Sequence, residues 1–241
     1  TMTTIEDKFA MLGTDHAPGQ EVRQSHAIAQ AQLQDTLLPG VPVDFSHGDV
    51  NEAAFAPTPG ALEEFVKGVR RGGSQAYTEY RGDAELREHV ADKLAVFTGR
   101  ALSGAKELII TSGTQGALFL AVAATMAAGD KVAIARPDYF ANRKLVEFMG
   151  GEVVGVELNY LGANDRAGLD LDQLESAFKS GARTFLFSNP NNPTGVIYAP
   201  TEIQHIVELA TRYGATAIVD QLYSRLLYPG SEYTHLRATS I

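Results

Sequence analysis

The sequence predicts an α/β protein in which a mostly parallel sheet lies between helices. Two observations lead there. From about residue 60 onward, short apolar runs of strand length alternate with stretches of helical periodicity. The intervals between runs are long enough for the crossover helix that a parallel strand pair requires. There is no internal repeat of solenoid length and no low-complexity block.

The elements follow in chain order. Residues 1–42 are polar and rich in Ala and Gln, and read as an N-terminal arm or part of a smaller domain. Within them Glu21–Leu38 reads as a helix with a weak apolar stripe, ended by Pro39-Gly40. Residues 43–241 read as one large domain, incomplete at its C-terminal end. There, Gly60–Arg71 is expected to be a helix closed by Gly72-Gly73. Gly82–Thr98 is expected to be another, with Leu86, Val90, Leu94 and Phe97 near helical spacing. Buried strands are expected at Glu107–Thr111, Lys131–Ala135, Glu152–Glu157, Arg183–Phe187 and Ala215–Val219. Helices are expected at Gln115–Ala128, Ala141–Phe148, Asp172–Lys179 and Thr201–Tyr213.

Composition narrows the chemistry. The 241 residues are 44% hydrophobic and 20% charged, within the range of globular proteins. Twenty basic against 29 acidic residues give a net charge of −9, which argues against non-specific nucleic-acid binding. With zero cysteines there is no disulfide framework, thiolate metal site or thiol nucleophile. The six histidines have no metal-ligand spacing. No apolar run is long enough to span a bilayer, and the N-terminus lacks the pattern of a signal peptide, so a cytoplasmic protein is expected.

Parallel sheets bind ligands at the carboxyl ends of their strands, and those ends carry unusual residues here. The first run leads into Ser112-Gly113-Thr114-Gln115-Gly116, a small polar turn that opens a helix. Free amides and the helix dipole would make it a phosphate cradle, although an ordinary capped turn has the same composition. The second leads into Arg136-Pro137-Asp138-Tyr139-Phe140, where an aromatic ring either stacks on a planar ligand or plugs the core. The fourth leads into Ser188-Asn189-Pro190-Asn191-Asn192-Pro193-Thr194-Gly195, a turn restricted enough to aim an amide. The fifth leads into Asp220-Gln221-Leu222-Tyr223. An acid ending an apolar strand needs a cationic partner or serves as a helix cap. Together these are the parts that hold a phosphorylated aromatic heterocycle.

In these residues, Asn191-Asn192-Pro193-Thr194-Gly195 above all, the sequence resembles the fold-type I pyridoxal-phosphate-dependent enzymes, most closely the class I/II aminotransferases. The resemblance covers roughly Val43 to Tyr228. It implies pyridoxal 5'-phosphate as cofactor. It implies that Asp220 pairs with the pyridine nitrogen, and that Asn192 and Tyr223 bond the 3-oxygen. Tyr139 would stack on the ring, and Gly113, Thr114 and Gln115 would hold the phosphate. Tyr77 would reach the phosphate of a neighbouring subunit in a homodimer. Gly48, with Asn192, would border the substrate carboxylate. The implied reaction moves an amino group between an amino acid and a 2-oxo acid by a ping-pong mechanism. The family's Schiff-base lysine lies downstream of the residue matching Asp220, whereas the last of the seven lysines here is Lys179. The chain therefore reads as the N-terminal portion of a longer enzyme, with the lysine, the carboxylate-binding arginine and a small C-terminal domain expected beyond Ile241. Lyases and decarboxylases of the same fold share these residues. A sensor domain of a transcription regulator is the other alternative, but the roughly forty residues before the domain are neither basic nor long enough for a DNA-binding module.

Overall fold

The computed structural model describes residues 4–12, 56–72, 77–161 and 168–236. The expected helix Glu21–Leu38 and the candidate Gly48 lie outside the described residues. The chain divides into two units, Thr1–Tyr77 and Thr78–Ile241.

The first unit contains helices α1 (Ile5–Leu12) and α2 (Ala61–Arg71). Helix α1 opens on a reciprocal cap: Asp7 N donates to Thr4 Oγ1 (3.1 Å) and Thr4 N donates to Asp7 Oδ2 (2.8 Å). Helix α2 runs between Gly60 and Gly72, both at positive φ. Glu63 and Glu64 occupy its first turn and Arg70 and Arg71 its last, the order that complements a helix dipole.

The second unit begins with α3 (Ala84–Thr98) and the single turn α4 (Gly104–Glu107). Next come α5 (Gly113–Thr125), β1 (Lys131–Arg136), α6 (Phe140–Phe148), β2 (Glu152–Asn159) and the two-residue β3 (Gly168–Leu169). The chain then forms α7 (Leu171–Lys179), β4 (Thr184–Ser188), α8 (Pro200–Tyr213) and β5 (Thr216–Asp220). The sheet order is β3-β2-β1-β4-β5, parallel except for β3. The chain leaves β1 for β2 on one side and returns to β4 on the other, so the β1/β4 boundary is the topological switch point.

Strand alternation builds a core on each face. Val132 and Ile134 of β1 and Leu186 of β4 join Leu118 and Val122 of α5 and Val146 of α6. On the opposite face, Ala133, Ala135, Phe185 and Phe187 meet Leu174 and Phe178 of α7 and Ile203 and Ile206 of α8. Small β1 residues leave room for the β4 rings, which stack 4.7 Å apart. The sheet between helices is thus as expected, with strand boundaries shifted by only one or two residues.

Two expectations are corrected. Glu107–Thr111 is not a sheet strand. Glu107 closes α4, its side chain accepting from Ser103 N and pairing with Arg100. The next residues have no ladder partner among the described residues, and Ile110 N donates to Arg81 O instead. An apolar run becomes a strand only where a neighbour presents its backbone.

Of the apolar positions expected along α3, Leu86 is exposed, while Val90, Leu94 and Phe97 are half-buried on the face that also carries the buried Arg87 and Ala91. Arg87 is 3% exposed. It donates to Gly82 O (3.1 Å) and Gly104 O (2.8 Å) and pairs with Glu79. These bonds satisfy a guanidinium that would otherwise be costly to bury.

Gly104 lets α4 approach α3 closely. A Cβ there would fall 2.7 Å from Arg87 C and Glu88 N, both backbone atoms. Gly104→Ala should therefore destabilise the full-length protein by about 1–3 kcal/mol through overpacking. Gly116, inside α5, has 3.6 Å of clearance to its nearest neighbour. Gly116→Ala should be neutral or stabilising by up to ~1 kcal/mol. Urea unfolding of both variants checks the pair, and the reverse order would refute this account of the α3–α4 contact.

Candidate functional site

Three of the loops singled out in the sequence converge at the carboxyl edge of the sheet. Parallel pairing sets their positions, because β1, β4 and β5 all run the same way and end together. Ser188 is the register partner of Asp220, and Asn189 N donates to Asp220 O (2.9 Å). A groove of about 510 Å³ lies between the start of α5 and the end of β5. Thr111, Gly113, Thr114, Asp220 and Gln221 are among its lining residues.

The α5 turn has the free amides of an anion site. Gly113 stands at φ 72°, a conformation glycine tolerates, and its N–H is taken by Thr111 O (2.9 Å). The amides that follow have no i−4 acceptor inside the helix, and Ser112 does not cap them. A Cβ on Gly113 would meet nothing within 4 Å, so the turn is open. Gln115 lies in the first turn of α5 but does not line the groove.

Across the groove, Asp220 is half-buried. Burial pushes its carboxyl above the ordinary value, opposed only by the Leu222 amide, which donates to Oδ1 at 3.0 Å. No cation pairs with it among the described residues. Tyr223 is half-buried in the hydrogen-bonded turns after β5, where Ser224 N donates to Gln221 O and Leu226 N to Tyr223 O. Tyr233 approaches from the C-terminal segment and donates to Asn189 O (2.8 Å). Burial, then the Asp220 charge, pushes its hydroxyl well up.

At the switch point, the loops after β1 and β4 are joined through Asp138. Its Oδ1 accepts from Tyr139 N (2.7 Å) and Asn142 Nδ2 (2.8 Å). Its Oδ2 accepts from Ser188 N (2.9 Å), Ser188 Oγ (3.0 Å) and Asn191 Nδ2 (3.0 Å). Ser188 Oγ in turn accepts from Asn192 N (2.9 Å). Asn191 Oδ1 accepts from Thr194 N and Thr194 Oγ1, which folds the Asn191–Gly195 turn on itself. Tyr139 and Asn192 thus share one hydrogen-bonded network, while Gly113, Thr114 and Asp220 share one groove. Tyr77 is exposed and belongs to the first unit.

Asp138 is absent from the residues selected in the sequence. Asp138, like Asp220, is an acid at the end of an apolar strand run, and that shared feature is the signal that could have found it. Burial pushes its carboxyl up to about 6, against the hydrogen bonds from Ser188, Tyr139 and Asn142.

The folded chain holds the Asp138 proton more tightly than the unfolded chain, whose carboxyl keeps its ordinary value of 3.8. Its favourable contribution is full below that value and is lost as the pH rises through about 6. The unfolding free energy of the full-length protein, relative to Asp138→Asn, should fall by up to roughly 3 kcal/mol between about pH 4 and pH 7. Urea unfolding across that range measures it, and a flat or rising difference would contradict the assignment.

Comparison with known proteins identifies the family. Residues 43–240 match the family model for aminotransferase class I and II. The chain is 31% identical over 174 residues to an aspartate aminotransferase of Sulfolobus acidocaldarius, covering 72% of this chain and 43% of that protein. Its structure resembles the crystal structure of an aspartate aminotransferase from Rhodobacter sphaeroides, with a TM-score of 0.82 and 58% identity, over 98% of this chain and 56% of that one. An aspartate aminotransferase structure from Thermotoga maritima gives a TM-score of 0.75 at 26% identity, over 91% of this chain and 55% of that one. The chain spans about half the length of these relatives. By the extent of the family match and the identity to these proteins, the chain belongs to the class I and II aminotransferases.

Proposed function

We propose that the whole protein is a pyridoxal 5'-phosphate-dependent aminotransferase, moving an amino group from an amino acid to a 2-oxo acid in two ping-pong half-reactions. One observation carries the reading: the α5 turn, with its open amides, and the Asp220 carboxylate, without a cation among the described residues, line the same groove. An anionic group on the turn and a protonated ring nitrogen beside Asp220 would satisfy both.

The residues fit that cofactor. Thr114 and Gln115 would offer amides to the phosphate, with Gly113 keeping the approach open. Tyr139 would cover the ring face, while Asn192 and Tyr223 would donate to the 3-oxygen. Asn192, with Gly48, would also border the substrate carboxylate. When bound, the cofactor supplies an electron sink for the negative charge left at the substrate α-carbon. Asp220 sustains that sink by keeping a negative charge beside the ring nitrogen, which holds its proton. The names of the relatives support aspartate as amino donor. Tyr77 would serve the phosphate of a second subunit, which makes the active protein a homodimer.

The full-length protein tests the reading. It should bind pyridoxal phosphate with a visible absorption band that borohydride removes. With aspartate it should yield a 2-oxo acid and pyridoxamine phosphate, whereas pyruvate with ammonia would indicate elimination. Asp220→Asn should fold and bind the cofactor, because the Leu222 contact survives, yet exchange the substrate α-proton slower by orders of magnitude. Near-normal exchange in that variant would limit Asp220 to a structural role. Tyr77→Phe should weaken cofactor binding by about 1.5–3 kcal/mol, the range for a hydrogen bond to a charged group. An active monomer at assay concentration in sedimentation would refute the shared site.

A further inference from the structure

We infer that Asp138 is a positioning residue for the cofactor, setting the place of the Tyr139 ring and the Asn192 amide relative to each other. The inference deepens the reading above and rests on it. The two groups lie on loops that leave different strands, and nothing in either loop alone fixes their separation. Asp138 joins them: one oxygen takes the amide of Tyr139, and the other takes the hydroxyl that receives the amide of Asn192.

The polarity of this network points one way. Asn192 N–H donates to Ser188 Oγ, and the Ser188 hydroxyl donates to Asp138. The amides of Asn142 and Asn191 and the backbone N–H groups of Tyr139 and Ser188 also donate to the same carboxylate. Every partner is a donor, and only an ionised carboxylate accepts from all of them. Asn142 shows how strongly the network requires it. Its side chain turns Nδ2 to Asp138 and leaves its own Oδ1 buried without a partner. An Asn at 138 would place an NH2 group against donors on one side. The amide register would then relax, and Tyr139 and Asn192 would no longer be held in one geometry.

Asp138 touches neither substrate nor cofactor on this account. It acts through neighbours, so loss of stability alone is no test. The informative readout is the bound cofactor itself, in full-length protein at about pH 8, where Asp138 is ionised. The dissociation constant for pyridoxal phosphate and the visible circular-dichroism band per bound cofactor would be measured for parent, Asp138→Asn and Ser188→Ala. Asp138→Asn should raise the dissociation constant about tenfold, the scale of one hydrogen bond to a charged group, and reduce the band by half or more. Ser188→Ala removes the link to Asn192 but keeps the Ser188 amide on Asp138. It should show the same two effects, smaller, and it serves should Asp138→Asn fail to fold. A lowered melting temperature with both cofactor readouts unchanged in the folded variants would overturn the inference. A parent protein that binds no pyridoxal phosphate would instead overturn the functional reading on which it rests.

Discussion

Parallel pairing of β1 with β4 is the constraint from which the rest of the site follows. It makes two segments 50 residues apart leave the sheet at one edge, side by side. Each segment carries polar groups that must leave water at that edge. Asp138 comes from the first, and Ser188, Asn191 and Asn192 come from the second. Pairing β5 with β4 adds Asp220 in register with Ser188. The loops that carry Asp138, Ser188, Asn191, Asn192 and Asp220 are therefore held side by side by the backbone ladders of β1, β4 and β5.

Burying acids at this sheet edge is expensive, and the two are handled differently. Asp138 is surrounded by donors from both loops, which offset part of the loss of water. Asp220 receives a single amide from Leu222. Burial pushes both carboxyls upward, but the acid with the full set of partners ties two loops together and the acid left short of them faces the groove. An incompletely satisfied buried charge beside an open cavity is a common mark of a functional group. That contrast separates the two residues better than their pKa directions, which are the same.

Packing on both sheet faces supports this edge. Phe185 and Phe187 stack against α7 and α8 on one side, while Leu186 packs with α5 and α6 on the other. Helix α5 thus has a double role. Leu118 and Val122 fasten it to the sheet, and its first turn presents free amides to the groove next to β5. The short β3 strand is fixed from outside the sheet as well, because Leu169 N donates to Glu202 of α8 at 2.8 Å. Such anchoring explains how so brief a strand persists at an edge.

The sequence by itself determined the layered architecture and the identity of most groups at the strand ends. Apolar periodicity is a local property, and it marks which residues turn inward whether or not their neighbours are known. Proline, glycine and asparagine likewise mark turns through their own backbone preferences, so the Asn191–Gly195 turn was legible residue by residue. Tertiary structure alone decided the rest. Leu108–Thr111 is apolar enough for a strand, but strand formation needs a backbone partner, and it found none among the described residues. Arg87 is buried only because Gly82, Gly104 and Glu79 come together around it. Asp138 gained its central place only when β4 delivered Ser188 and Asn191 to its second oxygen. In each case the deciding interaction joins groups distant in sequence, and no local pattern records which donors, acceptors or backbones will meet.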